Sequence, residues 1–158
     1  MRARINEDVK LAMKSGDKAR LSTLRLVNAA IKDRDLAAGV DEKGRPTGRD
    51  KITDQEIQSL LQKMVKQRRE SFEIYDKAGR RDLADQEAAE IAVIEGYLPK
   101  QMGEAETKAA IEALVAELGA AGLKDMGRVM GAAKERYAGV MDFAKAGAIV
   151  KDLLKSKG

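Results

Sequence analysis

Thr53-Asp-Gln-Glu56 followed by Ile57, Leu61 and the run Lys63-Met-Val-Lys-Gln-Arg-Arg-Glu-Ser-Phe-Glu-Ile-Tyr75 decides the fold. Ile57, Leu61, Met64, Phe72 and Tyr75 fall on one face of an α-helix, with a single slot between Met64 and Phe72 occupied by Arg68. Thr53 and Glu56 have the spacing of a capping box, in which the hydroxyl accepts the Glu56 amide and the carboxylate accepts the Thr53 amide. The pattern predicts a helix from Asp54 to about Ala78, closed by Gly79.

Working upstream, Ile5, Val9, Ala12 and Met13 give a first helix one apolar face, and Ser15-Gly16-Asp17 supplies a stop and a new N-cap. A second helix is predicted over Lys18 to Ala38, with Leu21, Leu24, Val27 and Ile31 apolar and Leu26 and Ala30 on the flank. That set is broad enough to be held between neighbours. Residues 39–51 are rich in Gly and charge and predict an exposed, mobile loop. Downstream of Gly79, Asp82 is placed to cap a fourth helix that ends near Tyr97-Leu98-Pro99.

Pro99 and Gly103 punctuate the chain, and composition then shifts from charged to Ala- and Gly-rich. We therefore expect an all-α protein: a helical domain of about four helices over 1–99, and a small three-helix domain over 100–158. The predicted tail helices are Glu104–Leu118, Asp125–Tyr137 and Asp142–Lys155.

The 158 residues carry 30 Lys plus Arg against 26 Asp plus Glu, with no Cys, His or Trp. Zinc fingers, thiol chemistry and His-dependent catalytic triads lose their usual residues, so no catalytic residue, cofactor or metal site is expected. No apolar stretch approaches a membrane span, and Arg2 and Arg4 precede charged residues where a secretory signal would have an apolar core. A cytoplasmic protein is the expectation. Aromatic residues are too few to stack single-stranded bases, whereas phosphate contact needs only a basic face.

Arg68 at the core edge must either snorkel to water or meet an acidic partner, for which Asp33, Asp35, Glu87 and Glu90 are available; a ligand-facing role, with Lys66 and Arg69 beside it, is the other reading. Arg25 and Asn28 share a flank of the second helix and are expected to hydrogen-bond a polar partner on the third. Arg80 and Arg81 lie between a helix C-terminus and the next N-terminus, suited to the first helix's dipole or to phosphate. Gly127 and Gly131 share a helical face where backbones can approach closely, with Met126 and Met130 adjoining as core or as an adaptable binding surface.

Taken in order, Leu24-Arg25, Ala29-Ala30-Ile31-Lys32, Lys66-Gln67-Arg68-Arg69-Glu70-Ser71, Tyr75, Gly79-Arg80, Asp82-Leu83, Glu87, Glu90, Tyr97-Leu98-Pro99, Met126-Gly127, Met130, Gly139, Asp142, Val150-Lys151 and Leu154 resemble the YqeY family. That family is related to the C-terminal tail of the B subunit of the tRNA-dependent Asp/Glu amidotransferase. The resemblance implies a helical bundle followed by a small helical tail, the portion that engages tRNA in the amidotransferase. It also carries the label of carbon–nitrogen ligase activity with glutamine as amido-N-donor, although the catalytic body has no counterpart in this sequence. The expected function is a non-catalytic accessory that binds tRNA or another structured RNA. The alternatives are a component acting with amidotransferase subunits, or an adaptor for another protein. Charge alone nominates Lys63, Lys66, Arg69, Arg80 and Arg81, with Lys124, Arg128 and Lys134 from the tail, as phosphate contacts.

Overall fold

The computed structural model describes residues 1–157 and contains seven α-helices and, among the described residues, no strand. They fall into two compact units, Met1–Leu98 and the chain from Pro99 onward. The first holds α1 (Arg2–Ser15), α2 (Lys18–Ala38), α3 (Asp54–Lys77) and α4 (Arg81–Glu95). The second holds α5 (Glu104–Leu118), a 3-10 turn (Leu123–Asp125), α6 (Met126–Arg136) and α7 (Phe143–Lys157).

Local chemistry sets these boundaries. Gly16 closes α1 at φ 73°, in the left-handed region that a side chain resists, and the Asp17 carboxylate accepts the Arg20 amide at 3.1 Å to open α2. The capping box on α3 is complete: Glu56 N donates to Thr53 Oγ1 and Thr53 N donates to Glu56 Oε1, each at 3.1 Å. The Thr53 amide is the main reason the Glu56 carboxyl lies below its ordinary pKa. The fourth helix differs from the expectation. Its N-cap is Arg80, and Asp82 lies inside the first turn, where its carboxylate favours the helix dipole without capping.

Residues 39–51 are largely exposed, as expected, and residues 39–47 are hydrogen-bonded into a turn. Asp41 is the reason. Its carboxylate accepts the amides of Lys43 and Arg45 at 2.8 and 2.9 Å and pairs with the Arg45 side chain, while Val40 and Pro46 form an isolated bridge.

In the first unit, Ile5, Leu24, Val27, Ile57, Leu61 and Ile94 are fully buried in one cluster with Ile31, Met64 and Val65. Each large aliphatic side chain withdrawn from water contributes roughly 1.5–3 kcal/mol, and the cluster joins α3 to α4, α2 to both of these, and α1 to α2. Met13 is instead exposed, and Phe72 and Tyr75 are only half-buried. The stripe on α3 stops being core after Val65, because α4 brings Glu87 and Glu90 to the stretch around Arg68.

Polar ties fix the register of these helices. Arg2 grips Asp35 with two nitrogens at 2.8 and 3.0 Å and also donates to Ile52 O, while Asp35 accepts the Ile52 amide at 2.8 Å. Tyr97, buried after the end of α4, donates its hydroxyl to Asp8, and Arg4 lies 4.8 Å from its ring centroid. Burial first, then the Asp8 hydrogen bond, push the Tyr97 pKa up to about 12.

In the second unit Ile111, Leu114, Val115, Val129, Ala133, Met141, Ala146, Val150 and Leu154 join three short helices in one core. Gly139 at φ 81° lets the chain turn sharply between α6 and α7.

Replacing Thr53 with Ala removes the reciprocal cap and is expected to cost about 1 kcal/mol. Urea unfolding monitored by circular dichroism should show a lowered midpoint at unchanged slope, and an unchanged midpoint would contradict the role assigned to the cap.

Candidate nucleic-acid interface

The α3–α4 hairpin positions most of the upstream candidates. Ala78, Gly79 and Arg80 turn the chain, so residues near the end of α3 meet residues near the start of α4. Arg81 pairs with Asp76 and, at 3.7 Å, with Asp85, while Arg80 pairs with Asp82 at 3.5 Å and Arg69 with Glu95. These pairs are exposed, and such contacts contribute between nothing and about 1 kcal/mol, so a phosphate can compete for the cations only against a carboxylate already in place. Lys63 is exposed on α3 beside Arg34, Glu56 and Ser59 in a shallow groove, and Lys66 is exposed with an interaction of its own.

Arg68 is different. Its Nε donates to Glu90 Oε2 at 3.0 Å, its Nη1 to the Met64 carbonyl at 3.3 Å, and both charged side chains are only 16% exposed. Glu87 completes the group, with Oε2 buried and without a hydrogen-bond partner among the described residues. Desolvation, then the Glu90 charge, raise the Glu87 pKa, and Arg68 only partly opposes them. One guanidinium thus serves two carboxylates inside the helix seam. Asp35, another nominated partner for Arg68, is held by Arg2, which is the first cause of its lowered pKa.

Asn28 does not reach α3. Its amide donates to Asn6 on α1 at 3.2 Å, because α2 packs that flank against α1. Arg25 is exposed and lines a shallow groove with Lys18, Leu21, Ser22 and Leu26. Lys18 and Lys32, two helical turns to either side of Arg25, are exposed as well.

The tail candidates share one surface. Lys124, Gly127, Arg128, Gly131 and Lys134 lie on the outer side of the 3-10 turn and α6, opposite Val129 and Ala133 in the core, and Glu135 shares that side. Arg128 pairs with Asp125 at 3.3 Å; Lys124 and Lys134 have no ion pair among the described residues. A Cβ placed on Gly127 or Gly131 would meet nothing within 4 Å. Among the described residues of the second unit nothing packs on the glycine face, so the close approach that its spacing allows is not used within that unit. Met126 and Met130 are half-buried against the core of the second unit.

No group of three or more acidic side chains among the described residues is arranged to hold a metal ion, and no described helix is long and apolar enough to cross a membrane.

The Yqey-like protein family model matches residues 2–154. The chain belongs to that family. It is 34% identical over 139 residues to the "altered inheritance of mitochondria protein 41, mitochondrial" of Pyrenophora tritici-repentis, covering 84% of this chain and 71% of that protein. Proteins of the same name from Lachancea thermotolerans and Eremothecium gossypii are 31% and 32% identical, over 73% and 61% of this chain. The matched region spans only 58% and 48% of those two relatives. The names of these relatives place them in the mitochondrion and correct the cytoplasmic expectation. The expectation rested on the lack of an apolar signal core, and that test does not detect mitochondrial addresses, which are amphipathic and Arg-rich.

Because the folded-state pKa of Glu87 lies above its ordinary value of 4.5, the native state holds this proton more tightly than the unfolded chain. Stability from this group is therefore full below the unfolded pKa and is lost as pH rises through the folded one. Glu87→Gln should stabilise the protein at pH 7, with the gain fading under more acidic conditions, as read by thermal unfolding across a pH series. Arg68→Ala should do the reverse and lower the melting temperature, since Glu90 then loses its partner in the seam.

Proposed function

We propose that this YqeY-family chain is a non-catalytic accessory that binds a structured RNA of the tRNA class, with the outer face of α6 as its principal contact. The observation that carries the reading is the pairing of two exposed helical glycines with unpaired lysines on the same surface. A glycine inside a helix is disfavoured by about 1 kcal/mol relative to Ala, and here no internal packing offsets the cost. What bare helix backbone provides is proximity: a sugar-phosphate strand can lie against it with Lys124 and Arg128 on one side and Lys134 on the other. Gly127 and Lys134 are two helical turns, about 10 Å, apart, so the face can follow more than one phosphate. The carboxylate of Glu135 limits how far along the face the strand can extend.

The hairpin cations take a lesser part in this reading. Arg69, Arg80 and Arg81 must first leave their carboxylates, whereas Lys124 and Lys134 need only shed counterions. Action alongside amidotransferase subunits rests on the family's kinship alone and has no separate observation behind it.

Fluorescence anisotropy with total tRNA across a salt series tests the proposal. Three phosphate contacts give a slope of log affinity against log salt of about −2 to −3. Lys124→Ala with Lys134→Ala should make that slope shallower by about 2, and Arg69→Ala with Arg81→Ala should leave it nearly unchanged. Absence of binding at low salt would overturn the RNA reading, and loss confined to the hairpin variant would overturn the site.

Gly127→Ala with Gly131→Ala should separate stability from binding. Each substitution is expected to stabilise the tail by roughly 0.5–1 kcal/mol while weakening tRNA binding through the added methyl groups. A stabilised double variant that binds tRNA as tightly as the parent would show that the glycines serve no contact.

A further inference from the structure

The second helix is apolar on two opposite sides, and the N-terminal unit covers only one of them. Leu24, Val27 and Ile31 face the core and are buried. Across the helix, Leu26 is 45% and Leu36 66% exposed, with exposed Ala29 between them and Val40, 49% exposed, continuing the line just past the helix end. Isolated exposed leucines are ordinary, but apolar residues repeated along the outward line of a helix are how one helix receives another.

Charge says what kind of helix. Lys18, Arg25 and Lys32 recur every seven residues along one edge of this apolar line, about 10 Å from one to the next, and all three are exposed without an ion pair among the described residues. Elsewhere in the unit the exposed arginines at 45, 49, 69, 80 and 81 each have a carboxylate. Asp33 is the one acid on the outward side between Arg25 and Leu36.

We propose that the outer face of α2 docks an acidic amphipathic helix of a protein partner. Its apolar residues would sit over Leu26, Ala29 and Leu36, and its carboxylates would meet Lys18, Arg25 and Lys32. An RNA strand would use the cations but gain nothing from Leu26 and Leu36, and the face has no aromatic side chain on which to stack a base. This surface belongs to the first unit and α6 to the second, and the proposal does not depend on RNA binding.

The test places a photocrosslinking amino acid at Ala29 of the full chain, irradiates cells that express it, and sequences the adducts. The expected product is an adduct to an acidic, helix-forming segment of another protein. A synthetic peptide of that segment should bind the purified chain and lose about tenfold or more in affinity on Leu36→Asp and, separately, on Arg25→Glu. Recovery of binding when a peptide Glu is changed to Lys against the Arg25→Glu variant would fix the charge pairing. Both substitutions are at exposed positions, and thermal unfolding shows whether each variant is folded. Adducts to RNA, to a segment of this same chain or to a second copy, or no adduct, would overturn the proposal, as would a peptide insensitive to both variants.

Discussion

Charge makes up 35% of this chain and its aromatic residues are limited to two Phe and three Tyr, so its cores are built from narrow aliphatic stripes. Everything else follows from keeping unpaired charge out of the seams between those stripes. Arg2 and Asp35 close the gap between α1, α2 and the entry to α3, and Arg68 with Glu90 closes the gap between α3 and α4. Tyr97, with Asp8 and Arg4, does the same where α4 ends against α1. These ties sit at the margins of the aliphatic cluster, where each charged group keeps some contact with water and the directional hydrogen bonds set register.

The same constraint sorts the cations. An arginine drawn into a seam or matched by a carboxylate on the next helix has a structural use, and most arginines of the hairpin are of this kind. Lysines on outward faces have no such use. They are spread along the chain, and two sets stand out by their company: Lys124 and Lys134 beside the bare glycines of α6, and Lys18 and Lys32 along the second apolar line of α2. The first suits a polyanion that must approach backbone closely. The second couples charge to exposed leucine and suits a protein helix.

The helix pattern was legible in the sequence because its determinants are local. Thr53 and Glu56, Asp17 and Gly16 act within a turn of where they stand. What was not legible depended on neighbours distant in sequence. Asn28 was assigned to the wrong helix because period alone does not say which flank of α2 meets α1. Phe72 and Tyr75 have the phase of core residues but lie beyond the end of the core, and the glycines of α6 have the spacing of a packing motif but face outward. The nominated cations were legible by type and not by availability, since Arg69 and Arg81 are matched by carboxylates 26 and 5 residues away.

The central claim, that RNA lies on the outer face of α6, is tested most directly by titrating tRNA into the isotopically labelled chain and following backbone amides by NMR. The account predicts that the largest shifts and line broadening fall on residues 124–134, with the Gly127 and Gly131 amides among them, and that the α3–α4 hairpin is little changed. Perturbation centred on residues 63–81 with α6 unmoved, or no perturbation at low salt, would contradict it.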